Sequence, residues 1–355
     1  MKFGLRLPVA LSVLLLPISL FGKCPIAPTG TLEVRAPAGN LLVDTSGNDN
    51  IEVEVSSRQI TLQETCGRDR VTVTATAASG ISGIPDWTIR VPRSVALDLS
   101  TQAGGIRVQD TDGAEVLLRT SGGKVTTGNI KGNALIVGGE VRTGNIGGNV
   151  ELRGMGGRLQ IGDVGGNAEF KSTGGDITAG QIRGSVKAVS GSGSIIIRES
   201  NGDFVVTTQE GDITSEYVHG AFDGRIEKGG NIRVERTGSW VHAFTGVGDI
   251  LFKLIPEKLG GDLHIKAETG IGNITMYLPE KMKATIDAVI DKPAIGTKKF
   301  FSDFPMNAFK APINAAKSLP LIPGGPEKQD MTINGGGNNI KAHTSSGTIR
   351  ILKGN

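Results

Sequence analysis

Two aspartates offer the first candidate chemistry in this chain. Asp176 and Asp212 each follow a glycine, and Ser194 stands midway between them. On a backbone that stacked with a period of 18, they would share one edge roughly 10 Å apart, from the usual strand spacing. That is a loose match to the carboxylate separation of an inverting glycosidase. Asn167, Ser185 and Asp203 occupy the same slot in other repeats, and these are interchangeable turn residues. Turn capping is therefore the reading adopted, and no catalytic residue is assigned.

Other chemistries fail on spacing. His219, His242, His264 and His343 are scattered, and no pair has the spacing of a metal site. His219 shares an expected corner with Arg183 and reads as a solvated turn residue. A calcium β-roll also repeats every nine residues, but its aspartate slot holds Ile161, Ala188 and Val206 here. The stretch SGGKVT lacks the glycine spacing and the hydroxyl of a phosphate loop. Ser192, in SGSGS, has no strand-to-helix elbow around it. The expectation is no metal, no cofactor and no enzyme activity.

Trp87, Trp240, Tyr217 and Tyr277 are the only large amphipathic aromatics that could serve a glycan. Tyr217 adjoins the inward Val218 and should face outward; Trp240 begins a coil and fits either core or surface.

The elements that must position these residues follow from one period. Glycines recur at nine-residue spacing from Gly157 through Gly166, Gly175 and Gly184 to Gly238. Two and four residues after most of them come apolar pairs, such as Leu159 with Ile161, Ile177 with Ala179 and Ile195 with Ile197. An i, i+2 apolar pair is a short strand with one buried face. Val164, Ile182 and Val218 recur at multiples of 18, so the full coil has a period of 18 and a sub-period of nine. Val95–Gly113 and Ala114–Gly132 read as 19-residue coils, and Asn133–Gly148 as a 16-residue coil. A half-coil cannot bury its own apolar face, so coils must stack as parallel neighbours. The expected fold is all-β: a single-stranded parallel β-helix, right-handed by the usual preference, capped at both ends. Its outer face, carrying Gln160, Glu169, Thr178, Lys187 and Thr214 with Ile196 and Val205 between them, should be flat and mostly polar.

The chain divides accordingly. Residues 1–22 read as a signal peptide, with Lys2 and Arg6 before an apolar run. Residues 23–94 form a strand-rich N-terminal cap and 95–290 the repeats. Residues 291–335 form a proline-rich insertion holding Phe300, Phe301, Phe304 and Phe309, read as a plug for the last coil. Residues 336–355 resume as a final coil. Met306–Lys317 is the best helix candidate, interrupted by Pro312. Cys24 and Cys66, the only cysteines, pair as a disulfide in an oxidising compartment. Lys23 before Cys24 argues against a lipid anchor. The formal charge of +3 becomes +3 − 2 = +1 once Lys2 and Arg6 are removed. Charges of both signs are mixed, which argues against nucleic acid.

Several stretches carry a resemblance: TLEVRAPAGNLLVDTSGNDNIEVEV, IRVPRSVALDLSTQAGGIRVQDTDG, FKSTGGDITAGQIRG, ETGIGNITMYLPE and INGGGNNIKAHTSSGTIRIL. In that order they resemble the bacterial putative-adhesin family, β-strand-repeat domains of unknown function. The resemblance implies an extracytoplasmic β-helix and brings no catalytic motif. The expectation is a non-enzymatic adhesin-like or scaffolding protein, periplasmic, cell-surface or secreted. It would be a monomer presenting a rigid face to a glycan, cell-wall polymer or envelope protein, with no integral membrane segment after signal removal. The alternatives are a β-helix polysaccharide lyase or hydrolase and a self-polymerising structural module.

Overall fold

The structure, a computed structural model, describes residues 23–354 apart from 48, 58, 78–82, 293–298 and 306–325. The expected signal peptide, Phe309 and the Met306–Lys317 helix candidate lie outside the described residues. Strands alternate buried and exposed positions, as in Val150–Gly154 and Val186–Ser190. They assemble into a broad 16-stranded sheet and a narrower 17-stranded one. A third line of single bridges runs Thr111, Ile130, Ile146, Val164, Ile182. Over these coils each turn contributes a strand to each sheet and one residue to the third line. Beyond Ile182 that third position continues as Ser200, Val218 and Thr237 within the 17-stranded sheet. The chain is a parallel β-helix.

The register carries the period. Val150 pairs with Ala168 and Ala168 with Val186, a step of 18 each time. Ala134 pairs with Val150, a step of 16. Leu97 to Val116 is a step of 19, but Val116 to Ala134 is 18 and not the 19 expected. Parallel pairing in register stacks like residues, so the interior consists of columns. Phe204 and Phe222 are successive members of one column, with ring centroids 5.7 Å apart. Gly224 breaks the apolar series in sequence because the Phe222 ring fills its place. A Cβ there would overlap that ring.

A buried hydroxyl column ends the broad sheet: Thr120, Ser172, Ser190, Thr208, Thr245, Thr269 and Thr344. Thr208 Oγ1 is 3.0 Å from the Gly193 carbonyl and 2.8 Å from that of Glu210. Burying a hydroxyl is costly unless it is bonded, and these bond the carbonyls that the glycine corner leaves pointing inward. Gly193 itself sits at φ +125°, which favours glycine.

The ends differ from a simple stack. Thr31–Ala36 lies between Arg70–Ala77 and Ala96–Thr101, parallel to both. The first strand of the stack is therefore covered by a coil formed later in sequence. At the other end Asn338–Ser346 lies between Ile265–Ile271 and Ala284–Ile290. The expected final coil is thus intercalated, not terminal, because its apolar pairs Ile340 and Ala342 need strands on both sides. Antiparallel strands close the stack: Ile60–Cys66 at the start and Glu327–Ile333 at the finish. Phe300 and Phe304 are buried beneath the last coils. Cys24 and Cys66 are disulfide-bonded, with Cα atoms 5.5 Å apart.

Candidate functional site: an axial groove and an aromatic–histidine cluster beyond it

One corner precedes every broad-sheet strand, and its residues form a ladder. Asn133 Oδ1 accepts the Asn149 N–H at 2.8 Å, Asn149 Oδ1 that of Asn167, and Asn167 Oδ1 that of Ser185. Ser185 Oγ then accepts from Asp203 N–H at 3.2 Å, and Asp203 Oδ1 from Ala221 N–H at 3.0 Å. The side chain does not cap its own turn; it reaches the equivalent backbone one coil on. With each Oδ1 committed, the Nδ2 donors of the exposed Asn133, Asn149 and Asn167 have no protein acceptor among the described residues.

An open groove of about 800 Å³ runs along this ladder and the adjoining outer row Leu135, Glu151, Glu169, Lys187 and Val205. Four carboxylates (Glu115, Glu151, Glu169 and Asp203) line it against one amine, Lys187. Arg153 and Lys171 beside the groove offset two of these carboxylates, so an anionic polymer would meet a small net excess of like charge. Glu151 and Glu169 face each other on adjacent strands. Each is ion-paired, to Arg153 at 2.6 Å and to Lys171. The hydrogen bond from Lys171 holds the Glu169 carboxyl below its ordinary value, the opposite of what a general acid needs.

The corner continues beyond Asp203 through Ala221 to Trp240 and then His264. Phe222 N–H bonds the Trp240 carbonyl, and Val241 N–H that of His264. In the outer row Val205 leads to Asp223, then His242, then Lys266. Trp240, His242, His264 and Asp262 therefore converge on the same corner beyond the groove, whose lining ends one coil before Ala221 and Asp223, at Asp203 and Val205. The Trp240 ring lies 4.7 Å from His242 and 5.3 Å from His264, nearly parallel to the latter at 14°. His264 Nε2 is 2.9 Å from His242 Nε2, and its Nδ1 is 2.7 Å from Asp262 Oδ1. Burial, then the neighbouring His264, depresses the His242 pKa.

The expected residues are placed as follows. Asp176 and Asp212 belong to a second such ladder, at the corner leading into the narrow sheet. Asp176 Oδ1 accepts from Ser194 N–H, and Asp212 N–H donates to Ser194 Oγ. His219 bonds Glu199 at 2.9 Å and packs on Tyr217 at 3.8 Å, with the Arg236 guanidinium 4.5 Å from that ring. Arg183 is not its partner. Trp87 is core, fully buried, while Trp240 is half-buried on the outside. Ile196 and Val205 are exposed at 43% each. The reading of the histidines as scattered is corrected for His242 and His264. Their separation in sequence is 22, but this coil steps by 24, from Val241 to Ile265. The added length, around Ile255–Asp262, has no repeat signature, so the juxtaposition was invisible to a ruler of 18.

Residues 30–292 match the family described as Toastrack DUF4097. The chain belongs to that family. Toastrack domains are of unknown function, so the likeness drawn from the sequence stretches holds for the family and its β-repeat fold, and no activity passes with it. No curated protein matches the chain. A solved structure described as a "putative cell adhesion protein" from Clostridium sporogenes aligns with 94% of this Toastrack chain and 98% of its own. Identity is 11% and the TM-score 0.16, and at that score the likeness carries nothing about fold or function. Among the described residues no helix is long and apolar enough to cross a membrane.

Proposed function

We propose that this is a non-enzymatic, exported, adhesin-like protein that lays an extended, uncharged polysaccharide along the axial groove and stacks a sugar against Trp240. The observation that carries this reading is the row of amide donors without protein acceptors, one per coil from Asn133 to Asn167. Strand spacing repeats those donors every ~4.8 Å, comparable with the advance of one sugar ring in an extended chain. A flat repeating row of donors suits a polymer better than a compact ligand, and a half-buried aromatic farther along the same corner suits a sugar face. The acidic lining favours a neutral chain over an anionic one. The disulfide supports an oxidising compartment outside the cytoplasm. The intercalated ends support a monomer. So does the charged edge strand Glu327–Ile333, whose Glu327, Lys328 and Asp330 discourage strand addition.

The test is incubation of the purified protein with neutral and anionic polysaccharides, scoring retention and new chain ends together. Retention on a neutral polymer, lost in Trp240→Ala, is the expected result. Cleavage would overturn the non-enzymatic reading and direct attention to Glu151 and Glu169. Retention on anionic polymers alone would overturn the charge argument. No retention on either would replace the glycan with a protein partner.

A further inference from the structure

The two imidazoles beside Trp240 have a geometry that glycan binding does not require. We propose that His242 and His264 together chelate a divalent transition-metal ion, Cu(II) by preference, on the corner beyond the groove.

The argument begins with the coil that brings them together. His264 occupies the corner position after Trp240, and His242 the outer row of the previous coil, so the strand Val241–Val247 and the corner entering Ile265–Ile271 hold them side by side. Their closest atoms are the two Nε2 nitrogens, at 2.9 Å. With metal–nitrogen bonds of about 2.0–2.1 Å, nitrogens 2.9 Å apart subtend an angle of about 90° at a shared ion. That is the cis angle of a square-planar or tetragonal centre, as Cu(II) and Ni(II) adopt, and narrower than the tetrahedral angle of zinc. Among divalent ions a nitrogen site also binds Cu(II) most tightly.

The second observation is the carboxylate behind one ring. Asp262 accepts from His264 Nδ1 at 2.7 Å, and it also accepts the His264 backbone N–H at 3.3 Å. This places a proton on Nδ1, so that in the neutral ring Nε2 carries the lone pair. A carboxylate on the far nitrogen is the usual support of a metal-ligating histidine. Asp223 beside His242 adds negative charge, and Lys266 on the other side opposes it. Two protein nitrogens leave the remaining coordination positions to water or to a bound ligand. Without metal, one imidazole N–H can donate to the other, which accounts for the same distance; solution binding separates the two.

Titration of the intact protein with CuCl2, NiCl2 and ZnCl2, read by tryptophan fluorescence and calorimetry, tests the proposal. Cu(II) should quench Trp240 at one equivalent, ahead of Ni(II) and Zn(II). His242→Gln and His264→Gln should each abolish the saturable site while leaving the thermal melt near that of the parent. Asp262→Asn should weaken Cu(II) roughly 10–100-fold, as loss of a carboxylate support does. Trp240→Phe should keep the calorimetric site and lose the quenching, and His343→Gln should change neither. Absence of a one-equivalent site overturns the proposal, as does Cu(II) binding that survives both histidine variants, which would mark an adventitious surface site. The outcome is independent of polysaccharide retention, because metal is read without polymer.

Discussion

Along a single corner, two stretches put the same backbone to different use. From Asn133 to Asp203 the corner is a hydrogen-bonded ladder in which each side chain secures the next coil. From Ala221 to His264 that device stops. Ala221 has no acceptor to offer, Trp240 and His264 stack as rings, and Asp262 supplies the carboxylate from within its own coil. In the first stretch side-chain chemistry is spent on holding coils together, and only the amide nitrogens face outward. In the second the strands pair without that help, which frees the side chains to form a site. Repetition stabilises a solenoid, and departure from it is where a specific ligand can be addressed.

Several variants would break or sharpen this contrast. The largest effect lies away from both stretches. Cys24→Ser with Cys66→Ser opens a link whose ends are 42 apart in sequence and should cost about 4 kcal/mol in the chain-entropy model. Urea unfolding measures it. If each coil depends only on its neighbours, hydrogen exchange at Asn149 and Asn167 should stay slow while the cap exchanges faster. Loss of protection along the whole corner would mean that its order depends on the cap.

Next in size, Asn149→Ala removes the acceptor for the Asn167 N–H and should destabilise by about 1 kcal/mol, since water can reach this exposed rung. Trp240→Ala should cost retention of polymer while changing the urea midpoint less than Trp87→Ala, which truncates a fully buried ring.

A smaller effect is confined to the aromatic stretch and depends on pH. His242 is a base whose folded pKa is lowered from 6.5 by burial, then by His264. The unfolded chain therefore binds the proton first, and stability falls as pH drops below 6.5 toward the folded value. Asp223 acts against this shift and Lys266 with it. Thermal melts from pH 7.5 to 5 should show a slope that His242→Gln reduces and Asn149→Ala leaves alone. The smallest expected change is Ser185→Asn. It replaces the longest rung, 3.2 Å, with the amide that makes 2.8 Å rungs elsewhere, for a gain of at most about 0.5 kcal/mol.

Much of the fold was legible because its period is written in glycine and apolar pairs. Gly157 to Gly238, with Leu159, Ile177 and Ile195 following, state where corners fall and which faces are buried. The turn role of Asp176 and Asp212 was legible from their exchange with Asn and Ser, though the bond runs to the next coil and not within the turn. The buried hydroxyl column was present in STGG, SGSGS and TTQEG but reads as ordinary turn polarity without knowledge of the carbonyls it meets. Gly224 looked like a weak repeat until the Phe222 ring beside it accounted for the gap.

The sequence by itself determined the strand faces, the corners and the parallel stack, because each depends on residues within one coil and on a period shared by its neighbours. Tertiary structure alone decided the order of coils at both ends and the meeting of Trp240, His242, His264 and Asp262. The intercalated strands Thr31–Ala36 and Asn338–Ser346 pair with segments far along the chain. The histidines meet because one coil takes a step of 24 in place of 18. A local pattern reports what a residue buries. Which coil it lies against depends on how much chain the intervening loop takes up, and loop length leaves no mark on hydrophobic periodicity.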